Sequence, residues 1–383
     1  MRIVKRAMIF LLVAGLADSL INFRGPLIIA LQKQGFQVHV AAPDLTPENP
    51  IRVKLEAEGV VVHNIIMQRT GMNPIADLLS LWSLSKLMRQ LRPNYVLSYT
   101  IKPVIYGSLA AWLAGIRRNF AMIEGLGFVF TYEVAKLSFR RRLLKAGVKI
   151  LYKLALSKSR RIIFLNPDDL AEFVGYGFLP PAKAYLLGGI GTDLNKWSPV
   201  SCKKNSPITF ILIARLLREK GILEFVEAAR LLKRLDAKTR FIVLGDVDPN
   251  PGSLSPLLVQ GWVEEGVLEW PGHVPVASWL EQANVFVLPS YREGVPMSTQ
   301  EAMAMGLAII TTDVPGCRET VVEGVNGFLV PARDVQALAS AMKKFIDQPN
   351  LISEMGRESR LIAEQRFDAN KVNRRLIGIM TET

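Results

Sequence analysis

Short uninterrupted apolar runs alternate along this chain with longer stretches whose apolar side chains recur every three or four positions. In the first half the runs are Ala7–Val13, Gln37–Ala41, Val60–Ile65, Tyr95–Ser98, Ala121–Ile123, Ile162–Leu165 and Ala184–Leu187. Helical stretches fall between them, for instance Ile75–Gln90 and Val104–Ala114. Such alternation predicts parallel strands joined by crossover helices. The pattern pauses over Asp193–Pro207, where Trp197-Ser198-Pro199 and Lys203-Lys204-Asn205-Ser206-Pro207 read as a linker. It restarts with Thr209–Ile213, Arg240–Leu244, Val285–Leu288, Ala308–Thr311 and Phe328–Val330, and closes in helices from about Asp334 to Ile379. The expectation is an α/β protein of two doubly wound domains, residues 1–200 and 201–383. Ligands of such sheets bind at the carboxyl ends of the strands, so a cleft between the two is the expected active site.

The N-terminus mimics a secretion signal, with basic Met1–Arg6 ahead of apolar Ile9-Phe10-Leu11-Leu12-Val13. A helical pattern, Pro26-Leu27-Ile28-Ile29-Ala30-Leu31, follows at once, which favours a buried first strand. No run reaches the ~18 apolar residues of a membrane span, so a soluble or peripheral protein is expected. Half of the 383 residues are apolar and 21% charged, which excludes disorder, collagen and a coiled-coil rod. Cys202 and Cys317 cannot build a disulfide framework and suit a reducing compartment. His39, His63 and His273 are scattered and give no zinc cluster with them.

Charge changes the picture more. The net +13 is lopsided: residues 1–200 hold 26 Lys and Arg against 12 Asp and Glu, the remainder 21 against 22. The first half therefore points to an anionic partner. Ten basic residues and no acid lie between Lys136 and Arg161, interleaved with Leu143, Leu144, Val148, Leu151, Tyr152 and Leu154. A basic amphipathic helix of this kind suits an anionic bilayer. Nucleic acid is not expected, because no stacking platform or binding motif accompanies the charge.

Two segments could carry chemistry. In Pro289-Ser290-Tyr291-Arg292-Glu293-Gly294-Val295-Pro296-Met297-Ser298 a buried strand gives way to a loop and then to a helix N-terminus. Unpaired N–H groups and the dipole favour a phosphate there. Glu293 in the loop and Glu301 in the helix can both accept hydrogen bonds from sugar hydroxyls. In Ile213-Ala214-Arg215-Leu216-Leu217-Arg218-Glu219-Lys220-Gly221, also at a strand's carboxyl end, Arg215 and Lys220 could clamp a diphosphate. Asp246-Val247-Asp248 imitates a metal-binding D-x-D but follows a strand in a two-domain context and reads as a loop. The loop Gly15–Gly25 lacks a dinucleotide fingerprint. As a loop facing the cleft it makes Asn22 and Arg24 candidates for the acceptor, and Glu124 falls at another strand end.

The segment from Glu293 to Glu301 resembles the E-x7-E signature of the family 4 glycosyltransferases, retaining enzymes of the GT-B fold. The likeness continues through Pro315-Gly316-Cys317-Arg318-Glu319 and Gly324-Val325-Asn326-Gly327-Phe328, with Arg215 and Lys220 as the family's basic pair. Phe23-Arg24-Gly25-Pro26, Thr100-Ile101-Lys102-Pro103 with Tyr106-Gly107-Ser108, and Gly125-Leu126-Gly127 resemble the branch acting on polyprenyl-linked sugars. The resemblance implies two facing Rossmann-like domains, with the C-terminal helices returning to the first, acceptor-binding one. Arg215 and Lys220 would bind the donor diphosphate, Glu301 the ribose, and Glu293 the transferred sugar. Gly294, Val295, Pro296, Met297 and Ser298 would form the phosphate cradle and His273 a base-facing loop. Asn22, Arg24, Lys102 and Glu124 would face the acceptor.

The resemblance further implies a hexosyl- or N-acetylhexosaminyltransferase, metal-independent and without cofactor. It would use a nucleotide sugar, with UDP by analogy, and a polyprenyl-diphosphate-linked saccharide at the cytoplasmic face of the membrane. Tyr99 and Thr100 stand where some members have a histidine, which leaves a general base open. The alternatives are a sugar-nucleotide epimerase of the same fold and a non-catalytic, membrane-bound regulatory subunit.

Overall fold

The computed structural model describes residues 7–68, 73–125, 139–199, 207–248, 250 and 252–382, and the side chains of 139–146 lie outside that description. The chain forms two compact units, Met1–Gly188 with Val372–Thr383, and Gly189–Lys371. The division falls ahead of the expected boundary at 200. Part of the expected linker is packed: Trp197 is buried, and its carbonyl accepts a bond from Arg360 at 2.8 Å.

Among the described residues the first unit holds seven parallel strands: β1 Ile9–Val13, β2 Gln37–Ala42, β3 Val61–Asn64, β4 Tyr95–Tyr99, β5 Asn119–Ile123, β6 Arg161–Phe164 and β7 Ala184–Leu186. Their order is β3-β2-β1-β4-β5-β6-β7. The second unit holds β8 Thr209–Ile213, β9 Arg240–Leu244, β10 Glu269–Gly272, β11 Val285–Leu288, β12 Ala308–Thr312 and β13 Gly327–Val330, in the order β10-β9-β8-β11-β12-β13. Neighbouring strands in both sheets pair in parallel, for example Phe10↔Val38 and Val285↔Ala308. Helices cover such strands on both faces, which is why they read as continuous apolar runs. Phe10, Leu11, Leu12 and Val13 have no exposed surface. Burial of each contributes about 1.5–3 kcal/mol.

Every strand expected from the pattern is present, and β10 is an addition. Its Pro271 cannot donate to the ladder and its register against β9 is irregular, as befits an edge. The helix expected from Val104 instead opens as a π-turn, Pro103–Gly107, before Ser108–Leu113. Gly107 is needed there, since a Cβ would lie 2.4 Å from Ser98 Oγ.

The strand orders reverse between β1 and β4 in one sheet and between β8 and β11 in the other. Loops leaving neighbouring strands diverge at such points and open a crevice. The two loop pairs so defined, after β1 and β4 and after β8 and β11, contain most of the residues singled out by sequence.

Candidate active site

In the second unit, the loop after β8 turns through a short 3-10 helix, Arg218–Lys220, into the helix Ile222–Lys233. Gly221 makes that turn at φ 72°, and a Cβ there would lie 2.1 Å from the Pro289 carbonyl. This close approach brings the β8 and β11 loops together, and the Tyr291 N–H donates to the Glu219 carbonyl at 2.9 Å. Lys220 Nζ then reaches Glu293 Oε1 at 2.5 Å, and Ser290 Oγ donates to the same oxygen at 2.7 Å. Lys220 and Glu293 are 16% and 13% exposed, so neither is fully removed from solvent. Behind them Gly316, at φ 79°, lets the chain pass the Glu293 carbonyl, which a Cβ would meet at 2.2 Å. Burial raises the Glu219 carboxyl above its ordinary range, opposed by the charges of Lys220 and Arg215.

Arg215 is half exposed, and its Nη1 donates to Asp248 Oδ2 at 2.7 Å. The other Asp248 oxygen accepts from Asn250 N, and Asp246 Oδ1 accepts from Val247 N. Both acids of the D-x-D sequence therefore hold loop turns, and Asp248 orients Arg215. Among the described residues, no group of three or more His, Cys, Asp or Glu side chains is placed to hold a metal ion.

The helix Met297–Ala304 starts after Pro296, as its sequence suggests. Its first N–H groups have no acceptor within the helix. Gln300, which the sequence reading passed over, is fully buried and braces this loop. Its Nε2 donates to the Val295 carbonyl at 3.1 Å, and its Oε1 accepts from Gly191 N at 3.0 Å. Glu301 is partly buried, and this burial pushes its carboxyl up to about 7 against the opposing charge of Lys196. His273, just past β10, is exposed. Cys317 is buried, and its thiol is pushed up to about 12 mainly by desolvation and secondarily by Glu293. A cavity of about 490 Å3 lined by Thr209, Arg240, Asn284 and Leu307 lies at the amino ends of these strands, away from the site.

The first unit gathers its own candidates differently. Arg24 is 2% exposed, stacks over the Tyr99 ring at 4.3 Å and pairs with Glu124, which is 19% exposed. Tyr99 Oη lies 2.9 Å from Ser19 Oγ. Burial lowers the Arg24 guanidinium to about 10 and raises the Tyr99 phenol, so Tyr99 has no capacity as a base near neutrality. Thr100 follows at φ 66°, costing a β-branched residue about 1–3 kcal/mol. Lys102 Nζ is held by Asp77 Oδ1 at 2.8 Å, and Asn22 is exposed. Leu126 and Gly127 of the glycine segment lie outside the described residues.

The basic stretch Lys136–Arg161 is described in part, its side chains from Gly147 onward. There the helix Phe139–Ser157 buries Tyr152 and packs Val148 and Leu151 against the core cluster. These three apolar residues serve the core, which corrects their reading as part of a lipid-facing surface. Ile150 and Leu154 are the exposed ones.

Two doubly wound parallel sheets, each with chemistry-bearing loops at its switch point, are the architecture of the GT-B fold. Two family models match, "Glycosyl transferase 4-like" over residues 11–166 and "Glycosyl transferases group 1" over residues 207–348, and the chain belongs to these family 4 glycosyltransferases. It is 28% identical over 374 residues to the N,N'-diacetylbacillosaminyl-diphospho-undecaprenol alpha-1,3-N-acetylgalactosaminyltransferase of Campylobacter jejuni, covering 94% of this chain and 95% of that one. It is 27% identical to the UDP-Gal:alpha-D-GlcNAc-diphosphoundecaprenol alpha-1,3-galactosyltransferase of Escherichia coli, over 71% of each. Both relatives are transferases, neither an epimerase nor a regulatory subunit. The fold matches sucrose-phosphate synthase from Thermosynechococcus elongatus with a TM-score of 0.79 at 19% identity, over 97% and 98% of the two chains. Anabaena HepE with UDP and glucose matches at 0.74 and 16%, over 98% and 100%.

Proposed function

We propose that this glycosyltransferase moves a hexose or N-acetylhexosamine, with retention, from a UDP-sugar to a saccharide carried on polyprenyl diphosphate. The reaction runs at the cytoplasmic face of the membrane, needs no metal ion, and contributes to bacterial glycan assembly. The names of the Campylobacter and E. coli relatives support the acceptor class and the nucleotide.

The observation that carries the reading is the Lys220–Glu293 pair across the β8/β11 switch point. Without donor the two charges neutralise each other. A donor diphosphate takes Lys220 as its counter-ion, joined by Arg215. Glu293 is then released to accept hydroxyl hydrogen bonds from the sugar. The helix N–H groups from Met297 onward receive phosphate oxygens, and Glu301 accepts from the ribose hydroxyls. As the bond from the anomeric carbon to the diphosphate breaks, Lys220 and Arg215 stabilise the charge that develops on the leaving oxygen. The acceptor hydroxyl forms the new bond on the same face, and its proton passes to the departing diphosphate. No side-chain base is needed, consistent with the buried Tyr99 and the absence of a histidine at Thr100.

In the first unit, Glu124 and Asn22 face the acceptor, and Arg24 acts from behind by fixing Glu124. Lys102, oriented by Asp77, supplies a cation for the lipid diphosphate. The basic segment Lys136–Arg161 contributes attraction to anionic headgroups. No described helix is long and apolar enough to cross a membrane. Thermal melting with UDP, GDP, ADP and CMP, with and without EDTA, tests the donor site. A ligand at a hundred times its Kd adds about 2.7 kcal/mol. A shift with UDP that survives EDTA is expected, and no shift with any nucleotide would sink the reading.

A further inference from the structure

The helix Pro74–Leu91 has two apolar faces where a surface helix ordinarily has one. One packs inward through Leu84 and Met88. The other is open to solvent, with Ile75 71%, Leu78 66%, Leu79 46% and Trp82 59% exposed. The spacing i, i+3, i+4, i+7 aligns these four as one stripe. The stripe continues in Lys86 and Arg89, both exposed, and Lys86 Nζ lies 5.3 Å from the centre of the Trp82 ring. It carries no carboxylate, because Asp77, the helix's one acid, is turned aside to Lys102.

The neighbouring helices repeat the arrangement. Pro74–Leu91 packs on Ser108–Leu113, which packs on Phe139–Ser157, all against one core cluster of the first sheet. Ser108–Leu113 exposes Trp112 and Leu113, and Phe139–Ser157 exposes Ile150 and Leu154. Lys158 sits over the Trp112 ring at 4.4 Å, and Lys149 over that of Tyr176 at 4.2 Å. Exposed aliphatic tips beside tryptophans, with lysines folded over the rings, match the layering of a bilayer interface. Chains enter the acyl boundary, indoles lie at headgroup depth, and ammonium groups meet lipid phosphates.

We propose that this three-helix face docks on an anionic lipid bilayer, with Ile75, Leu78, Leu79 and Trp82 as the inserting stripe. The choice of a bilayer over a protein follows from charge. The half of the chain bearing this face carries 26 basic against 12 acidic residues, and an extended anionic surface satisfies such an excess. This deepens the proposed function, which rests on a membrane-borne acceptor, and it moves insertion to a helix separate from the strongly basic stretch.

The test is co-sedimentation of the full chain with phosphatidylglycerol/phosphatidylcholine vesicles, compared with pure phosphatidylcholine. The variants are Ile75→Ser/Leu78→Ser/Trp82→Ser and, separately, Lys86→Gln/Lys158→Gln. Retained melting temperatures and an unchanged UDP shift establish that each variant is folded. The triple variant is expected to lose affinity for anionic vesicles by at least about tenfold, since three of the four side chains of the inserting stripe are removed. The charge variant is expected to lose about fivefold or more. Undiminished binding of the triple variant overturns the proposal, as does a wild-type chain that ignores anionic vesicles. Self-association that the triple variant abolishes, without vesicle binding, would make the face a contact between copies and overturn it equally. Vesicle binding that fails in the triple variant, in a chain that transfers no sugar to any polyprenyl-linked saccharide, would leave the surface standing and remove the acceptor reading.

Discussion

Lys220 with Glu293 in the second unit and Arg24 with Glu124 in the first are the same kind of contact at equivalent places, the carboxyl end of a parallel sheet beside its switch point. Their surroundings set them apart. Lys220 is a single point charge on a flexible stem, partly in solvent, facing a carboxylate that has one further hydroxyl donor. Arg24 is enclosed, stacked on Tyr99 and directed toward Met122 Sδ at 3.5 Å. A partly solvated ion pair of lysine can be exchanged for a ligand at small cost. A guanidinium that is almost wholly buried cannot leave without stranding its carboxylate. On the proposed reading the first pair is broken by substrate, and the second holds a side chain still.

Lys220→Ala gives the largest expected effect on this contrast. Transfer should fall by about a hundredfold to a thousandfold, the range for removing one preorganised charge-stabilising group. The melting temperature should stay close to wild type. Steady-state transfer alongside calorimetry checks both, and a variant that still turns over at wild-type rate ends the assignment of Lys220. Arg24→Ala should act the other way round. Leaving Glu124 and the Tyr99 ring without their partner costs about 3–5 kcal/mol. For a unit of this size that lowers Tm by roughly 2–4 °C for each kcal/mol. If Arg24→Ala melts like wild type, the pair is not structural and the contrast collapses. Arg24→Lys sharpens the point, because it keeps the charge but loses the planar group that stacks on Tyr99.

The same contrast explains what the sequence disclosed. The strands of both units were legible because strands buried on both faces read as unbroken apolar runs, and β10 was not, because Pro271 and Gly272 interrupt it at an edge. The loops proposed for the donor were legible because their chemistry is compact in sequence, with Glu293 and Glu301 inside one strand–loop–helix segment. The first unit's pairs are assembled across long separations, Arg24 to Glu124 and Asp77 to Lys102, and no periodicity or spacing announces such partners. Gln300 stood between Glu293 and Glu301 in the same segment. Its role depends on Gly191, 109 residues away, so its neighbours alone gave no sign of it. The basic stretch misled in one respect: alternating lysines and leucines describe an amphipathic helix without saying which apolar residues face the core.

Glu301 offers the smallest effect and the finest test, because burial and the proposed ribose contact pull on it in opposite directions. Its carboxyl titrates near 7 in the folded chain, above the ordinary glutamate value of 4.5, so the native state holds the proton more tightly than the unfolded one. Its contribution to stability is full below about 4.5 and is lost as pH rises through about 7. Glu301→Gln, which cannot ionise, should therefore melt above wild type at pH 8 and close to it at pH 5. Ribose hydroxyls favour the ionised form, so the variant should bind UDP about tenfold to a hundredfold more weakly at pH 8, the worth of a hydrogen bond to a charged acceptor. That ratio should shrink toward unity as pH falls below 7, and comparing the two proteins at each pH cancels the titration of the nucleotide itself. Calorimetric Kd values from pH 5 to pH 8 would decide the matter. A wild-type advantage that persists undiminished at pH 5 would mean that Glu301 does not hold the ribose through its carboxylate.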